Sequence, residues 1–537
     1  MKRCPECRRD YYDDSLHFCL DDRAALDLKR RTDQNIMKTI LLLALVTLTA
    51  FTPAAFAQNS ADALDHYIES ARKSWDIPGL SVAIVQDGKV VLAKGYGVKE
   101  VGKNDAVDSQ TLFGAMSTTK AMTAVAMALL VDEGKINWRD KVSKYLPDFR
   151  IADPYITQEL EVRDLLTHTA GLASTDFLWA RTPELPAEEA INRMQYARPA
   201  YSMRSNFIYQ NSMYLVAGKV IEKVSGMTWE KFMNERVFRP LGMQSTFPTL
   251  HESLSHTNRS SPHFKIQGKV ELIPEMPIDT VAPAGSVWSN ADDIAKWVAY
   301  LLSGKTQDGK DLLKPGTLAE VFKPQVILPS GFYPTFNLIK PKWTTYGYGW
   351  FQHDYRGEKV DMHTGSIAGR TAIVGLMRDK KLGVYVFGNL DHAEARHGII
   401  YKVFDLFAFN DTNGRDWNAD FKKMYDAMEA DGEKQQAAQL AKRLTDTKPS
   451  LPLNAYAGTY SDPFYGTIEI QFADGKLKAI FSKDITAELQ HRHVDTFMAV
   501  MNKRWMGEGI VSFQLNPITG DVVSVTSSGQ VFRRQSK

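Results

Sequence analysis

The chain has 537 residues, 44% hydrophobic and 24% charged, with a formal net charge of +2. This is an ordinary globular composition without the basic surplus of a dedicated nucleic-acid binder, and its length predicts more than one domain. Three cysteines, Cys4, Cys7 and Cys19, all precede residue 20, so the rest of the chain has neither a disulfide nor a cysteine nucleophile.

Residues 1–36 contain Cys4-x-x-Cys7 and then Cys19, with Asp22 where a fourth cysteine would complete a second pair. The segment resembles a small zinc ribbon with one ligand replaced, which implies a weak zinc site at Cys4, Cys7, Cys19 and Asp22. An apolar run follows, "TILLLALVTLTAFTPAAFA", Thr39 to Ala57, after Met37-Lys38 and ending in a small-residue pattern before Gln58. It reads as a secretory signal. Two readings of the start are open. Translation begins at Met37 and cleavage follows Ala57, or Met1 is the start and the run is an uncleaved anchor. At about 19 residues the run is long enough to span a bilayer. Lys29, Arg30, Arg31 and Lys38 precede it and no Lys or Arg follows until Arg72, which keeps the N-terminal side in the cytoplasm. Either way the bulk of the chain is expected outside the cytoplasm: periplasmic or extracellular, or held at the inner membrane through Thr39–Ala57.

A helix is predicted over 62–75, then a hairpin, "LSVAIVQDGKVVLAKGYGV", turning at Asp87-Gly88. The first helix carries a Ser-x-x-Lys tetrad, Ser70 to Lys73, beside Glu69, Arg72 and Ser74, the signature of a solvated face. A second tetrad, Ser117 to Lys120 in "GAMSTTKAM", opens a helix that stops at Gly134 and is apolar nearly all round between Ala121 and Val131, the pattern of a fully buried helix. A lysine at the head of such a helix is costly unless partnered, and burial favours its neutral amine. Further helices are predicted over 210–225 and after Asn290, and two β runs around Asp379–Leu382 form a hairpin over 362–391. A charged helical stretch, 416–444, reads as a linker. From Ala455 short strands with Asp-Gly and Gly-Asp turns predict a small antiparallel barrel. The domain reading is 1–36, the signal or anchor 37–57, a catalytic domain 58–410, a helical linker 411–449 and a β-barrel 450–537.

Three pieces stand in chain order: Ser117-Thr-Thr-Lys120, Tyr209-Gln-Asn211 and His363-Thr364-Gly365 at the head of a strand. This resembles the serine β-lactamase and penicillin-binding-protein superfamily, nearest its class C and D-aminopeptidase-like esterase branch, over about Ile77 to Asn389. "IPGLSVAIVQDGKVV", "LLTHTAGL" and "PLGM" belong to the same resemblance, and the C-terminal strands resemble the lipocalin-like barrels that often follow this domain. It implies an α/β (α+β) core, an antiparallel sheet flanked by helices, with a helical subdomain between the Ser117 and His363 motifs. It also implies an acyl-enzyme at Ser117, with Lys120 and Tyr209 sharing the proton, Asn211 bonding Lys120 or the substrate amide, and no cofactor.

The chemistry has its own logic. A serine hydroxyl needs a base. Lys120 is one candidate. Tyr209 is the other, if a neighbouring lysine cation lowers its phenol pKa. Acyl transfer also needs two oxyanion donors, here the backbone N–H groups of Ser117 and Ser366. Gly365 would let substrate approach the strand. His363 stands where β-lactamases carry lysine. A mostly neutral imidazole is a weaker carboxylate anchor, which moves the expected substrate from lactams toward esters or D-amino-acid amides. β-Lactamase, D-alanyl-D-alanine carboxypeptidase and a non-hydrolytic penicillin- or peptidoglycan-binding module stay open. His168 is expected to hold a loop. His392 with His397 and His491 with His493 lack the companions of a metal site. No G-x-S-x-G occurs, against an α/β-hydrolase elbow.

Overall fold

The computed structural model describes residues 2–3, 10–11, 52–329 and 331–536. Cys4, Cys7, Cys19 and Asp22, and the apolar run from Thr39 through Phe51, lie outside the described residues. Among the described residues no helix is long and apolar enough to cross a membrane. The chain divides into two compact units, Met1–Ala63 and Leu64–Lys537. In the first, Lys2–Arg3 pairs with Asp10–Tyr11. The second, from Leu64 on, carries the sheet, its helices and the barrel.

Helix α1, Thr52–Ser74, starts ten residues earlier than the sequence predicts. Its Pro53 occupies the first turn, where the missing N–H costs nothing, and the following "AAFA" favours helix. Eight antiparallel strands form the central sheet. They are β1 (Gly79–Gln86), β2 (Lys89–Gly97), β3 (Val326–Ile327), β4 (Thr344–Tyr346), β5 (Phe351–Tyr355), β6 (Glu358–Ile367), β7 (Arg370–Met377) and β8 (Leu382–Gly388). Their order is β2-β1-β8-β7-β6-β5-β4-β3. The predicted hairpin 362–391 is thus three strands. The run "SIAGRTAIV" is broken at Gly369, whose φ of +83° and contact with Pro262 exclude a side chain.

Alternate residues face opposite sides of the sheet. Ala83, Val85, Val374 and Phe387 meet the helices α2 (Thr119–Asp132), α3 (Asn211–Ser225) and α4 (Ala291–Ser303) in one core. Val82, Ile84, Ile373 and Val386 meet α1, α5 (Ala395–Val403) and α6 (Trp417–Ala441) in the other. Helix α6 therefore begins inside the core, with Trp417 and Phe421 buried, before running out as an exposed rod.

Strands β9 (Gly458–Asp462), β10 (Gly466–Ala473), β11 (Lys476–Ile480), β12 (Thr486–His493), β13 (Thr496–Met501), β14 (Glu508–Leu515), β15 (Val522–Ser527) and β16 (Gln530–Arg534) close into a barrel. Tyr460 opposite Arg534 shuts it. Tyr456, Tyr460, Phe497, Phe513 and Phe532 fill its interior, so the barrel is a packed core.

Candidate active site

Ser117 lies in a tight turn, Met116–Thr118, leading into α2. Met116 has φ +50°, a strained value for a residue with a long side chain. Its surroundings hold it there. Ala115 N–H donates to Val287 O (2.7 Å) and the Thr118 hydroxyl to Ala115 O (2.6 Å). Strand β6 closes the other side. Past the last β5–β6 pair, Phe351–Met362, residues 363–367 continue beyond β5, and this overrun packs on the turn. A Cβ at Gly365 would stand 2.4 Å from Ser117 N and 2.6 Å from Met116 Cβ. Gly365 therefore admits the nucleophile's own turn, not the substrate: the close approach is internal. Ser366, the next residue, is exposed and its amide neighbours this contact.

Helix α2 is buried from Thr119 to Leu130 and Lys120 is wholly inaccessible. Its Nζ lies 3.2 Å from Ser117 Oγ, 2.6 Å from Asn211 Oδ1 and 2.8 Å from Ala284 O. Burial draws its pKa down to about 7, against a smaller upward pull from Asp176. A neutral amine suits this geometry. Its two protons go to Asn211 and Ala284, and its lone pair faces the Ser117 hydroxyl. The Asn211 amide is held in one orientation. Its Nδ2 donates to both Asp176 oxygens at 3.0 Å, which leaves Oδ1 for Lys120.

Tyr209 stacks on His168 at 4.3 Å between centroids and lies under Lys120 Nζ, 4.7 Å from its ring centre. The sequence reading of an accessible phenolate is corrected here. Burial pushes the Tyr209 pKa well above the usual tyrosine value, and contact with the Ser117 hydroxyl only partly offsets this. With its own pKa drawn down to about 7, Lys120 is only partly a cation near neutral pH and does not bring the phenol down. Tyr209 therefore keeps its proton and can donate it, while the Lys120 amine stands within 3.2 Å of the Ser117 hydroxyl.

His363 is also corrected. It is wholly buried and both ring nitrogens are occupied. Thr364 O can only accept, so Nδ1 of His363 donates to it (2.8 Å). Nε2 then accepts from the Tyr346 hydroxyl (3.1 Å), which in turn accepts from His168 Nε2 (3.1 Å). His168 Nδ1 accepts the Gln210 N–H (2.9 Å). One arrangement of protons satisfies the chain, with both imidazoles neutral. Burial, reinforced by Lys120, holds His363 down to about 3 and His168 well below its usual value. His363 has no free donor for a substrate carboxylate. It ties β6 to the segment carrying Tyr209, and His168, at φ +61°, anchors the loop as expected. Thr364 is half-buried and its hydroxyl donates to Ala372 O (3.2 Å).

The geometry gathers a buried amine and a phenol at one half-buried serine hydroxyl, with the Gly365–Ser366 strand segment packed on its turn. The family model for Beta-lactamase matches residues 64–405. The chain belongs to the Beta-lactamase family. A domain of unknown function, DUF3471, matches 442–535. Unguisins hydrolase ungD of Aspergillus violaceofuscus is 26% identical over 443 residues, 77% of each chain. Protein flp of Staphylococcus aureus is 25% identical over 351 residues, 62% of this chain and 64% of that one. The fold is shared with the octameric penicillin-binding protein homologue from Pyrococcus abyssi, at TM-score 0.57 and 21% identity, covering 87% of this chain and 98% of that one. It is also shared with a penicillin-binding protein from Bacillus halodurans, at TM-score 0.52 and 19% identity, covering 63% and 100%.

Two residues of this Beta-lactamase family site were not read from the sequence. Asp176 orients Asn211 from 35 positions away, and burial raises its own pKa against the Asn211 and Trp179 bonds. Arg396, buried on α5 and paired with Glu394, donates to Gly365 O (2.5 Å). That carbonyl and the Ser366 N–H belong to one peptide group. A guanidinium on the oxygen polarises the peptide and strengthens the N–H as a donor. Asp176 falls in the unpatterned stretch "ASTDFLWA", and Arg396 in a helix with apolar residues on every side, so neither left a signal. The other tetrad is remote from chemistry. Ser70 is exposed, and Lys73, 68% exposed, pairs with Glu69 at 3.4 Å. Among the described residues no cluster of three or more His, Cys, Asp or Glu is placed to hold a metal.

Proposed function

We propose that the chain is an exported serine hydrolase that cleaves an ester or amide through an acyl-enzyme at Ser117. The observation that carries this is the Lys120 amine, buried, drawn to about 7 and within 3.2 Å of the Ser117 hydroxyl. Lys120 accepts the serine proton as the Ser117–acyl bond forms. The oxyanion settles between the Ser117 and Ser366 amides. The proton passes through Lys120 or Tyr209 to the leaving alcohol or amine, and water repeats the sequence to free the acid. Lactam hydrolysis and D-alanyl carboxypeptidase action are disfavoured, because the buried, fully bonded His363 offers no cation to a carboxylate. The hydrolase name of the Aspergillus relative supports turnover over a binding-only role.

A p-nitrophenyl ester and a fluorophosphonate test this. Wild type is expected to turn over the first and to be labelled by the second at Ser117, and Ser117→Ala to do neither. Equal behaviour of the two proteins would overturn the assignment. Export rests on the run Thr39–Ala57. Mass spectrometry of the secreted fraction is expected to find Gln58 as the first residue, and an intact Met1 in soluble cytoplasm would refute it.

A further inference from the structure

A cleft of about 580 Å³ begins at Ser366 and runs from the end of β6 to the barrel. Ile367, Phe264 and Met276 line its catalytic side, and Ile485, Trp505 and Met506 its barrel side. The barrel wall is a turn, Arg504–Met506, between β13 and β14. It meets the catalytic domain. Arg504 Nη1 donates to Glu271 Oε2 at 2.9 Å, and the strand His263–Ile266 packs against the turn. That strand in turn grips the β6–β7 corner, where His263 N–H donates to Gly369 O (3.2 Å). The volume is in the range of sites for whole small molecules.

The position identifies which part of a substrate enters. The leaving group must meet the proton donors, Lys120 and Tyr209, on the α2–α3 side of Ser117. With the oxyanion between the Ser117 and Ser366 amides, the remaining substituent of the carbonyl carbon runs along Ser366–Ala368, into the cleft. The lining identifies its chemistry. The walls are mostly apolar. Among the charged residues around them, Glu275 is bound to Arg370 at 2.6 Å and Asp391 to His392. That leaves the Glu184 and Asp484 carboxylates against Lys503, an excess of negative charge at the rim that opposes an anionic group. We propose that this cleft, half built by the barrel, receives an uncharged apolar acyl group, so that the barrel sets acyl-chain specificity. The proposal rests on the hydrolase reading above.

The test is a p-nitrophenyl ester series from acetate to decanoate, which varies the acyl chain at constant leaving group. In wild type, kcat/KM is expected to rise about threefold per added methylene until the cleft is filled. Trp505→Ala is expected to lose about tenfold or more on decanoate while acetate stays within about twofold. Met506→Glu, on the exposed edge of the same turn, should do the same, which guards against misfolding in the first variant. A flat wild-type series, an equal loss at every chain length, or a preference that follows the alcohol chain of alkyl acetates would overturn the proposal. Calorimetry of Ser117→Ala with decanamide separates it from the parent reading. Binding that Trp505→Ala removes keeps the cleft even if wild type turns over no ester; absence of binding removes it.

Discussion

The molecule carries the same tetrad twice, and the two could not be more differently placed. Ser70 and Lys73 sit one turn apart on the exposed face of α1, where Lys73 pairs with Glu69 in water. Ser117 and Lys120 sit one turn apart where α2 dives between the sheet and α3. Spacing brings hydroxyl and amine together in both. Burial draws one amine's pKa down to about 7, whereas the other amine lies open to solvent beside a carboxylate. A lysine is reactive through what surrounds it.

The sharpest way to break that contrast is to remove each serine. Ser117→Ala is expected to lower ester kcat/KM by about 10³-fold or more, and Ser70→Ala to leave it unchanged; similar rates from both would erase the distinction. Lys120→Met should cost about 10²–10⁴-fold and Lys73→Met nothing. Because Lys120 acts as the neutral amine, wild-type kcat/KM should be full above about pH 7 and fall about tenfold per unit below it. A limb set near the ordinary lysine value would mean that burial does not tune this amine. Gly365→Ala has no counterpart at the surface tetrad, where no strand crosses the serine. Its Cβ would displace Ser117, with an expected loss of about 10²-fold and little change in the β-barrel. Asp176→Asn is the gentlest. It frees the Asn211 amide to turn and removes the charge that pulls the Lys120 pKa upward. Activity should fall about tenfold and the acid limb move to lower pH. A limb that stays or moves up would show that Asp176 does not act through Lys120. His363→Ala should be read in stability rather than specificity: it strands the Tyr346 hydroxyl, at about 1–3 kcal/mol.

Local pattern made much of the fold legible. The alternation in "LSVAIVQ", the all-round apolar α2 and the Asp-Gly turns of the barrel each state a period within a few residues. The tetrad and the Tyr209-x-Asn211 motif were readable for the same reason, since each is complete within one turn of chain. The broken run at Gly369 and the burial of Trp417 on α6 were not, because each depends on what packs there from elsewhere. Asp176, Arg396 and Trp505 show the same limit at the site. Each acts on a residue or cleft distant in sequence, and none stands in a recurring pattern.

Sequence alone determined that this chain holds a serine and a lysine one helical turn apart on a helix with no wet face, and that a tyrosine, an asparagine and a Gly-bearing strand follow in order. Tertiary structure decided what those groups are. It took His363 out of reach of substrate by closing both its nitrogens, and by burying Lys120 and Tyr209 it drew the amine's pKa down and pushed the phenol's up. It also brought the barrel to the edge of β6 to form the wall of a cleft. Spacing is a property of the chain, but desolvation and hydrogen-bond saturation belong to the packed molecule, and those two quantities set the protonation and access of every group in the site.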